Sequence, residues 1–315
     1  MKTFYTKKAF SKLKCYGLLF FVAAALILAG NRAEAQQKQD LINYTQFADN
    51  ITPFNPAYSL LDQSGSVSTL LSRQFVEIQS GAPTYFLMNL NLPLESINAS
   101  AGAIVKYNSI GPENLTEVNA FFAKSIQLTG TDFLAVSLNA GFRKYVFSDP
   151  DPSDPEFNDV RQTNPNLGFG VMLYSANYFV GLSAPELTIR SLGTASIQTQ
   201  ADLENHYYVS GGVLLPMDED FTFKPAALIA YAKHTNGVAS VSGTIYIKNI
   251  LGIGAGYCTD KQASGILSYT FDTFRLGYSY QVGTASNNFG GINTATHEVT
   301  LSYRFGKGTL NPKLL

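Results

Sequence analysis

The chain has 315 residues, a net charge of −1 and only 14% charged residues, against roughly a quarter in soluble proteins. Its aromatic residues are 18 Tyr and 22 Phe, with no Trp. Because acidic and basic residues are nearly equal in number, the chain lacks the excess of positive charge that a nucleic-acid partner requires. After residue 35 no stretch approaches 18 consecutive apolar residues, which excludes transmembrane helices in that part of the sequence.

The first 35 residues have the layout of a cleaved secretory signal peptide. A lysine-rich leader ends at Lys14, an apolar run follows from Leu18 to Ala29, and Ala33-Glu34-Ala35 supplies the small residues of a cleavage site. The alternative is a membrane anchor, but the run is shorter than the roughly 20 apolar residues that a bilayer requires. Cleavage after Ala35 would leave 16 basic and 22 acidic residues, a net charge of −6.

The two cysteines indicate that the exported chain is not stabilised by a disulfide. Cys15 would leave with the signal peptide, so Cys258 would have no partner for an intrachain disulfide. An exported chain without disulfides must be stabilised by its size or by its environment. Few charges, many aromatic residues, export and the absence of helical spans together favour a membrane β-barrel.

Apolar and polar residues alternate along much of the remaining chain. In 134–143, every second residue from Leu134 to Phe142 is apolar, and the intervening positions include Asn139 and Arg143. The same period of two recurs in 85–92 and 99–108. Side chains on a strand point alternately to opposite faces, so each segment has one apolar and one polar face. We expect the polar side chains, including Asn89, Asn91, Asn139 and Arg143, to face a lumen.

Fourteen such segments follow one another, an even number as in single-chain bacterial barrels. In chain order the predicted strands are 66–77, 84–93, 98–108, 115–127, 132–147, 166–175, 177–185, 205–215, 220–232, 238–247, 249–259, 262–271, 273–284 and 294–305.

The predicted connections alternate between longer and shorter. The long ones include 148–165, 186–204 and 285–293, whereas 94–97, 129–131 and 216–219 are tight. Outer-membrane barrels have short periplasmic turns and longer extracellular loops, so the parity predicts that both termini are periplasmic. A soluble sandwich, the alternative, has no reason to place its long loops on one side. The sequence therefore predicts an all-β, transmembrane antiparallel β-barrel.

Four regions are expected along the chain. Residues 1–35 form the signal peptide, 36–64 a segment that either plugs the barrel or faces the periplasm, 65–305 the barrel, and 306–315 a periplasmic tail. The sequence does not decide between the two locations of 36–64.

Candidate chemical motifs are weak. Three glycines between Gly252 and Gly256 resemble part of a phosphate-binding loop, but they lie inside a predicted strand, where glycine more often permits close packing. Five carboxylates between Asp149 and Asp159 lack the spacing of a known calcium loop, so an acidic, proline-rich extracellular loop is the preferred interpretation. His297 and Glu298, as neighbours on a strand, point to opposite faces. The sequence predicts no catalytic, cofactor or metal site and no enzyme.

Short motifs, taken together in their order and spacing, resemble those of the PorP/SprF family of type IX secretion and gliding-associated membrane proteins. The resemblance extends from about Phe54 to Phe305. The motifs are Asn55-Pro56-Ala57, Leu71-Ser72-Arg73-Gln74, Gly81-Ala82-Pro83, Asn164-Pro165-Asn166-Leu167-Gly168-Phe169-Gly170, Gly181-Leu182-Ser183-Ala184-Pro185, His206-Tyr207-Tyr208, Lys224-Pro225, Leu276-Gly277-Tyr278-Ser279-Tyr280, His297-Glu298 and Leu301-Ser302-Tyr303-Arg304-Phe305.

The resemblance implies an outer-membrane component that supports export and surface attachment of a large adhesin-like protein. Its expected partners are outer-membrane lipid, periplasmic parts of the secretion machinery and that secreted adhesin, with no cofactor. The motifs single out candidate residues for partner contact or structure, namely Asn55, Pro56, Ala57, Arg73, Gly81, Pro83, His297, Glu298 and Arg304. A passive transporter or porin for a small solute remains an alternative, and a soluble sugar-binding sandwich is a third.

Overall fold

The computed structural model describes residues 41–61, 64–74, 81–148, 159–195, 203–233, 235–283 and 295–306. The predicted signal peptide, most of the acidic loop between Asp149 and Asp159, and nearly all of the tail lie outside the described residues. In the described ranges no helix is long and apolar enough to cross a membrane.

The described residues form sixteen β-strands, of which two have only two residues. In chain order they are β1 (Gly65–Gln74), β2 (Thr84–Leu94), β3 (Ala99–Ile110), β4 (Glu113–Gln127), β5 (Phe133–Phe147), β6 (Val160–Tyr174), β7 (Tyr178–Thr188), β8 (Thr194–Ala195), β9 (Tyr207–Val213), β10 (Leu215–Pro216), β11 (Phe221–Tyr231), β12 (Val238–Ile247), β13 (Leu251–Cys258), β14 (Gln262–Phe271), β15 (Phe274–Gly283) and β16 (Thr296–Phe305). The same ranges include four short 3₁₀ helices, Phe47–Asp49, Pro56–Leu60, Glu95–Ile97 and Arg190–Leu192.

The fourteen long strands close into an antiparallel barrel. Each pairs with its neighbour along the chain, β7 pairs with β9 and β9 with β11, and β16 returns to pair with β1 over the full length from Gly65↔Phe305 to Gln74↔Thr296. Closure leaves none of these described strands with an unpaired edge, which is a condition for crossing hydrocarbon. The prediction of a 14-strand barrel is confirmed, and each predicted segment corresponds to one long strand.

The two faces of the strands have the predicted character. Leu138 is 70% exposed on the outer face, whereas its neighbour Asn139 is buried inside. Asn89, Asn91 and Arg143 are also buried and inward-facing, as the alternation predicted. The barrel therefore has an apolar outer surface suited to lipid. Its inner wall carries most of the polar side chains, together with apolar ones such as Leu70, Leu87 and Phe121.

The two ends of the barrel differ. At one end, called the turn end, the connections are 95–98, 128–132, 175–177, 214–220, 248–250 and 272–273. At the other, the loop end, they are 75–83, 111–112, 148–159, 189–206, 232–237, 259–261 and 284–295. The longest connections, 148–159, 189–206 and 284–295, lie at the loop end, but the predicted alternation of longer and shorter connections is incomplete. At the loop end 111–112 is a tight turn, whereas 214–220 at the turn end is longer than predicted.

Left-handed backbone conformations allow the tightest turns. Lys248 and Asn249 have φ of 52° and 55°, and the amide of Ile250 donates to the carbonyl of Ile247 at 2.9 Å. Two successive residues at positive φ match the twist of the flanking strands in a two-residue hairpin. The short β12–β13 connection therefore follows from hairpin geometry.

Rings line the outer face near both ends. At the turn end Phe271 stacks on Phe274, which lies 4.8 Å from Tyr303 between ring centroids. At the loop end Tyr280 packs edge-on against His297. Bands of aromatic residues of this kind lie at the two membrane–water interfaces of a transmembrane barrel.

Gel mobility tests the closed barrel. We expect the mature protein to need detergent for solubility and to migrate differently before and after boiling, because a closed hydrogen-bonded barrel resists unfolding by mild detergent. The measurement is electrophoresis of paired unheated and heated samples. Recovery in a detergent-free soluble fraction, with no shift on heating, would contradict the barrel.

Candidate functional site: the lumen segment and its contacts

Residues 41–61, called the lumen segment, pack against the inward-facing side chains of the barrel. Most of the segment is buried, including Phe47, Ile51 and Tyr58. Its rings contact the wall, since Tyr44 stacks on Tyr85 and Tyr58 lies edge-on to Phe179. Residues 41–61 therefore pack inside the barrel, against its inner wall.

The lumen segment runs from the loop end to the turn end. Leu41 accepts a hydrogen bond from the Tyr208 hydroxyl, near the loop-end start of β9. Asp49 contacts Lys224 and Arg275, near the turn-end starts of β11 and β15. After a bend through the middle of the lumen, the segment leads into β1 at the turn end.

Asn55 fixes the middle of the lumen segment to β6 and β7. Its Nδ2 donates to the carbonyls of Val171 and Leu182, at 3.2 and 3.4 Å. Glycines make room for this amide, because a Cβ at Gly170 would lie 2.2 Å from its Oδ1 and one at Gly181 would lie 2.6 Å from its Nδ2. The Asn55 side chain therefore packs against the two motifs that contain Gly170 and Gly181, although the three stretches are distant in sequence.

Pro56 and Ala57 form the turn that follows. The Asn55 Oδ1 accepts from the amide of Ala57 and so caps the helix Pro56–Leu60, whose first position is the proline. A proline suits that position, since its missing N–H would have no helical partner there. The Ser183 hydroxyl donates to the carbonyl of Phe54 at 2.7 Å. The Asn55-Pro56-Ala57 motif therefore shapes the chain and attaches it to β7.

Glu298 holds the loop-end part of the lumen segment. Its carboxylate accepts from the amides of Thr45 and Gln46, at 2.9 and 3.0 Å. Glu298 is buried on the last strand, and its neighbour His297 faces outward. Hydrogen bonds to a charged acceptor are stronger than neutral ones, so this carboxylate is a principal anchor.

Asp49 anchors the turn-end part. Its carboxylate lies 3.3 Å from the Lys224 ammonium and 2.5 Å from the Arg275 guanidinium. The Tyr246 hydroxyl donates to the same carboxylate. Nearby opposite charges and donated hydrogen bonds both favour the charged form of a carboxyl group. The carboxylate therefore holds the segment to two inner-wall cations.

A second buried charge cluster lies on the inner wall nearer the loop end. Arg143 Nε donates to Glu117 at 2.6 Å, and the Lys106 ammonium contacts both Glu117 and Glu186. Arg143 Nη1 also donates to the carbonyl of Glu204 at 2.9 Å. Two cations balance two carboxylates, and Arg143 ties the end of the connection 189–206 to the wall.

The remaining sequence candidates lie elsewhere. Arg73 and His297 are cross-strand neighbours on the outer face, and the His297 ring is 2.9 Å from the Tyr278 hydroxyl. Gly81, at φ 77°, and Pro83 lie in the β1–β2 connection. Arg304 lines a turn-end cavity beside the lumen segment. The candidates thus form no single site: Asn55, Pro56 and Ala57 belong to the lumen segment, Glu298 anchors it, and Arg304 lines a cavity beside it.

Sequence reasoning missed the partners of the lumen segment. Asp49 and Arg275 were not singled out, and Lys224 appeared only in the motif Lys224-Pro225, although charges on an inward face must be paired when water is excluded. The signal was available in part, because Lys224 and Arg275 occupy polar-face positions of predicted strands. What the sequence did not show was a carboxylate in residues 36–64 that could reach them.

The described ranges contain no group of three or more His, Cys, Asp or Glu placed to hold a metal ion. Cys258 is a buried thiol near the loop end. The contacts of Asp49, Asn55 and Glu298 hold the lumen segment in place.

Comparison with solved structures shows the fold. The CymD monoaromatic hydrocarbon channel matches with a TM-score of 0.51 and 10% identity, over 84% of this chain and 94% of that one. The toluene transporter TodX of Pseudomonas putida matches with a TM-score of 0.48 and 11% identity, over 81% and 93%. Omp33 of Acinetobacter baumannii matches with a TM-score of 0.44 and 12% identity, over 78% and 99%.

Comparison of the sequence shows the family. No curated protein matches the chain. The model of the family described as "Type IX secretion system membrane protein PorP/SprF" matches residues 36–303, most of the chain. A closed membrane barrel of this kind is an outer-membrane component of that secretion system. The chain therefore belongs to the PorP/SprF family.

Proposed function

We propose that the protein is a closed outer-membrane scaffold of the type IX machinery, which supports export and surface attachment of a large adhesin-like protein. The observation that carries the proposal is the filled lumen. Asp49, Asn55 and Glu298 hold the lumen segment at the turn end, in the middle and towards the loop end. A segment packed inside the barrel favours a scaffold that holds partners over a pore that conducts solutes.

The orientation is part of the proposal. Long connections such as 148–159 and 189–206 lie at the loop end, together with 284–295. Because long loops of outer-membrane barrels are extracellular, we place the loop end outside and the turn end, where β1 begins and β16 ends, in the periplasm. The turns would then meet the secretion machinery, and the loops the secreted partner.

The alternative is a passive channel, as the name of CymD states for that protein. At 10% identity the likeness extends to the fold alone, which does not imply function. Two polar cavities of this barrel, one at each end, share no lining residue among the described ranges. The lumen segment contributes to both, so the filled lumen favours the scaffold.

Surface proteomics on a deletion strain tests the proposal. We expect one large adhesin-like protein to be depleted from the surface, because its attachment depends on this barrel, while proteins exported by other routes are unchanged. A strain that carries the 148–159 and 189–206 loops of a family relative should retain a different surface protein. An unchanged surface, accompanied by reduced uptake of a small solute, would favour the channel.

A further inference from the structure

A polar cavity at the turn end, called the turn-end cavity, lies between the lumen segment and the inner faces of β15, β16, β1 and β2. The strand register places Arg275 beside Ser302 and Arg304 beside Ser66, and all four residues line the cavity. The lumen segment faces them with Gln46, among other residues. The wall of the cavity therefore combines two guanidinium groups with hydroxyls and amides.

We propose that the turn-end cavity binds a small inorganic anion of the size of chloride. The proposal does not depend on the proposed function, because it concerns only how the lumen segment is held. The enclosed volume of the cavity is about 50 Å³, and one water molecule requires about 10–15 Å³ on the same scale. The cavity therefore has room for one monatomic ion with one or two waters, but not for a large organic anion such as gluconate.

The charges around the cavity favour an anion. Asp49 is the one carboxylate among the described lining residues, and it pairs with both Lys224 and Arg275, at 3.3 and 2.5 Å. These three groups together carry one net positive charge, and Arg304 adds a second guanidinium to the lining. A positive charge held away from water without a balancing carboxylate is costly, and a cavity lined mainly by one sign of charge attracts counter-ions.

A buried hydrogen-bond donor gives an independent indication of a ligand. Gln46 is 3% exposed, and its Oε1 accepts from the Thr300 hydroxyl at 3.0 Å, but its Nε2 has no hydrogen-bond partner among the described residues. A buried N–H without an acceptor is costly, so an acceptor bound in the cavity would satisfy it. Asn91 Oδ1, a buried acceptor without a donor, suits a water that accompanies the ion.

The ion would connect parts of the chain that are far apart in sequence. It lies within reach of Arg275 on β15, Arg304 on β16 and Gln46 on the lumen segment, all of which line the same small cavity. Hydrogen bonds from guanidinium groups to an anion are stronger than those between neutral groups. A ligand that binds only the folded state stabilises that state, so chloride should stabilise the barrel with its lumen segment in place.

The dependence of unfolding on chloride tests the site in solution. The mature protein in lipid vesicles is unfolded in a urea series with sodium chloride or with sodium gluconate at the same concentration, and gel mobility reports the folded fraction. At a chloride concentration ten times the Kd, the equilibrium constant of unfolding should be about tenfold lower than in gluconate. The two salts have equal ionic strength, so the screening of surface charges is the same in both series.

Substitutions in the lining tie this effect to the cavity. Gln46→Leu removes the unpaired donor, and Arg304→Gln removes one guanidinium. In both variants the ratio of the unfolding constants in gluconate and chloride should approach unity, whatever the stability of the variant in gluconate. Gln127→Leu makes the same change as Gln46→Leu at an exposed side chain outside the cavity, so this matched control should keep the full ratio. An equal ratio in the parent and both cavity variants would overturn the proposal, because the ion would then act elsewhere.

Bromide, a heavier halide, locates the ion. Crystals of the parent protein soaked in sodium bromide should show an anomalous scattering peak between Arg275 and Gln46 Nε2, and crystals of Gln46→Leu should show a weaker peak or none. Bromide peaks at the protein surface alone, an adventitious ion only, would overturn the proposal. So would a parent protein whose unfolding is the same in chloride and gluconate, because water alone would then fill the cavity. Surface proteomics of the deletion strain tests the proposed function separately, so either can fail while the other stands.

Discussion

Deleting residues 41–61 is expected to convert the barrel into an open pore. The fourteen long strands pair with one another and close through β1 and β16 without any contribution from the lumen segment. The wall that the deletion exposes combines apolar side chains, such as Leu87 and Phe121, with polar and charged ones, such as Asn89, Lys224 and Arg275, and these polar groups would hold water in the lumen. Planar-bilayer recordings should show no openings for the parent protein and discrete openings for the deletion variant.

Asn55→Ala provides a graded form of the same experiment. The substitution removes two hydrogen bonds from Asn55 to β6 and β7, each contributing about 1 kcal/mol. The open fraction should therefore rise by roughly tenfold or more, since 1.4 kcal/mol corresponds to a factor of ten. Asn114→Ala, at an outward-facing amide bonded to Tyr107, is the control and should stay closed. If neither the parent protein nor the deletion variant showed channel openings, residues outside 41–61 would seal the lumen.

Arg143→Met is expected to destabilise the barrel strongly. Arg143 is fully buried, and its loss leaves Glu117 with the Lys106 ammonium at 3.8 Å. Breaking a buried pair from one side costs about 3–5 kcal/mol, because a charge is left uncompensated. The free energy of unfolding in lipid vesicles should fall by about that amount. Because the protein has no Trp, gel mobility in a urea series is the suitable measurement.

A second substitution separates charge from packing. Arg143→Met combined with Glu117→Gln removes both charges and leaves Lys106 paired with Glu186, so most of the lost stability should return. Lys144→Met changes the next residue, which faces outward and is exposed, and should have little effect. If the double variant were as unstable as Arg143→Met, the uncompensated carboxylate would not be the cause.

The strands were predictable because their signal is local. Alternation over about ten residues distinguishes the two faces of a strand, and it placed Asn89, Asn139 and Arg143 on the inner wall. Connection length was less predictable. The predicted strands 98–108 and 115–127 left a connection of six residues, whereas β3 and β4 extend to a tight turn at 111–112.

The lumen segment was not predictable, because its contacts are distant in sequence. Thr45 and Glu298 are separated by 253 residues, and no pattern within either stretch indicates the other. The family motifs marked Asn55 and Glu298, but a motif does not say what its residues touch. In the same way the alternation placed Arg143 inside the barrel without showing that Glu117 pairs with it.

The anchoring of Thr45 and Gln46 by the last strand has a consequence for biogenesis. Thr45 and Gln46 are synthesised early, yet their carboxylate partner arrives only with β16, the strand that also pairs with β1. The segment cannot be secured until insertion is complete. A truncated or stalled chain that lacks β16 would present an unsecured segment and an unpaired β1 edge together, two features by which periplasmic quality control can distinguish unfinished molecules from finished ones.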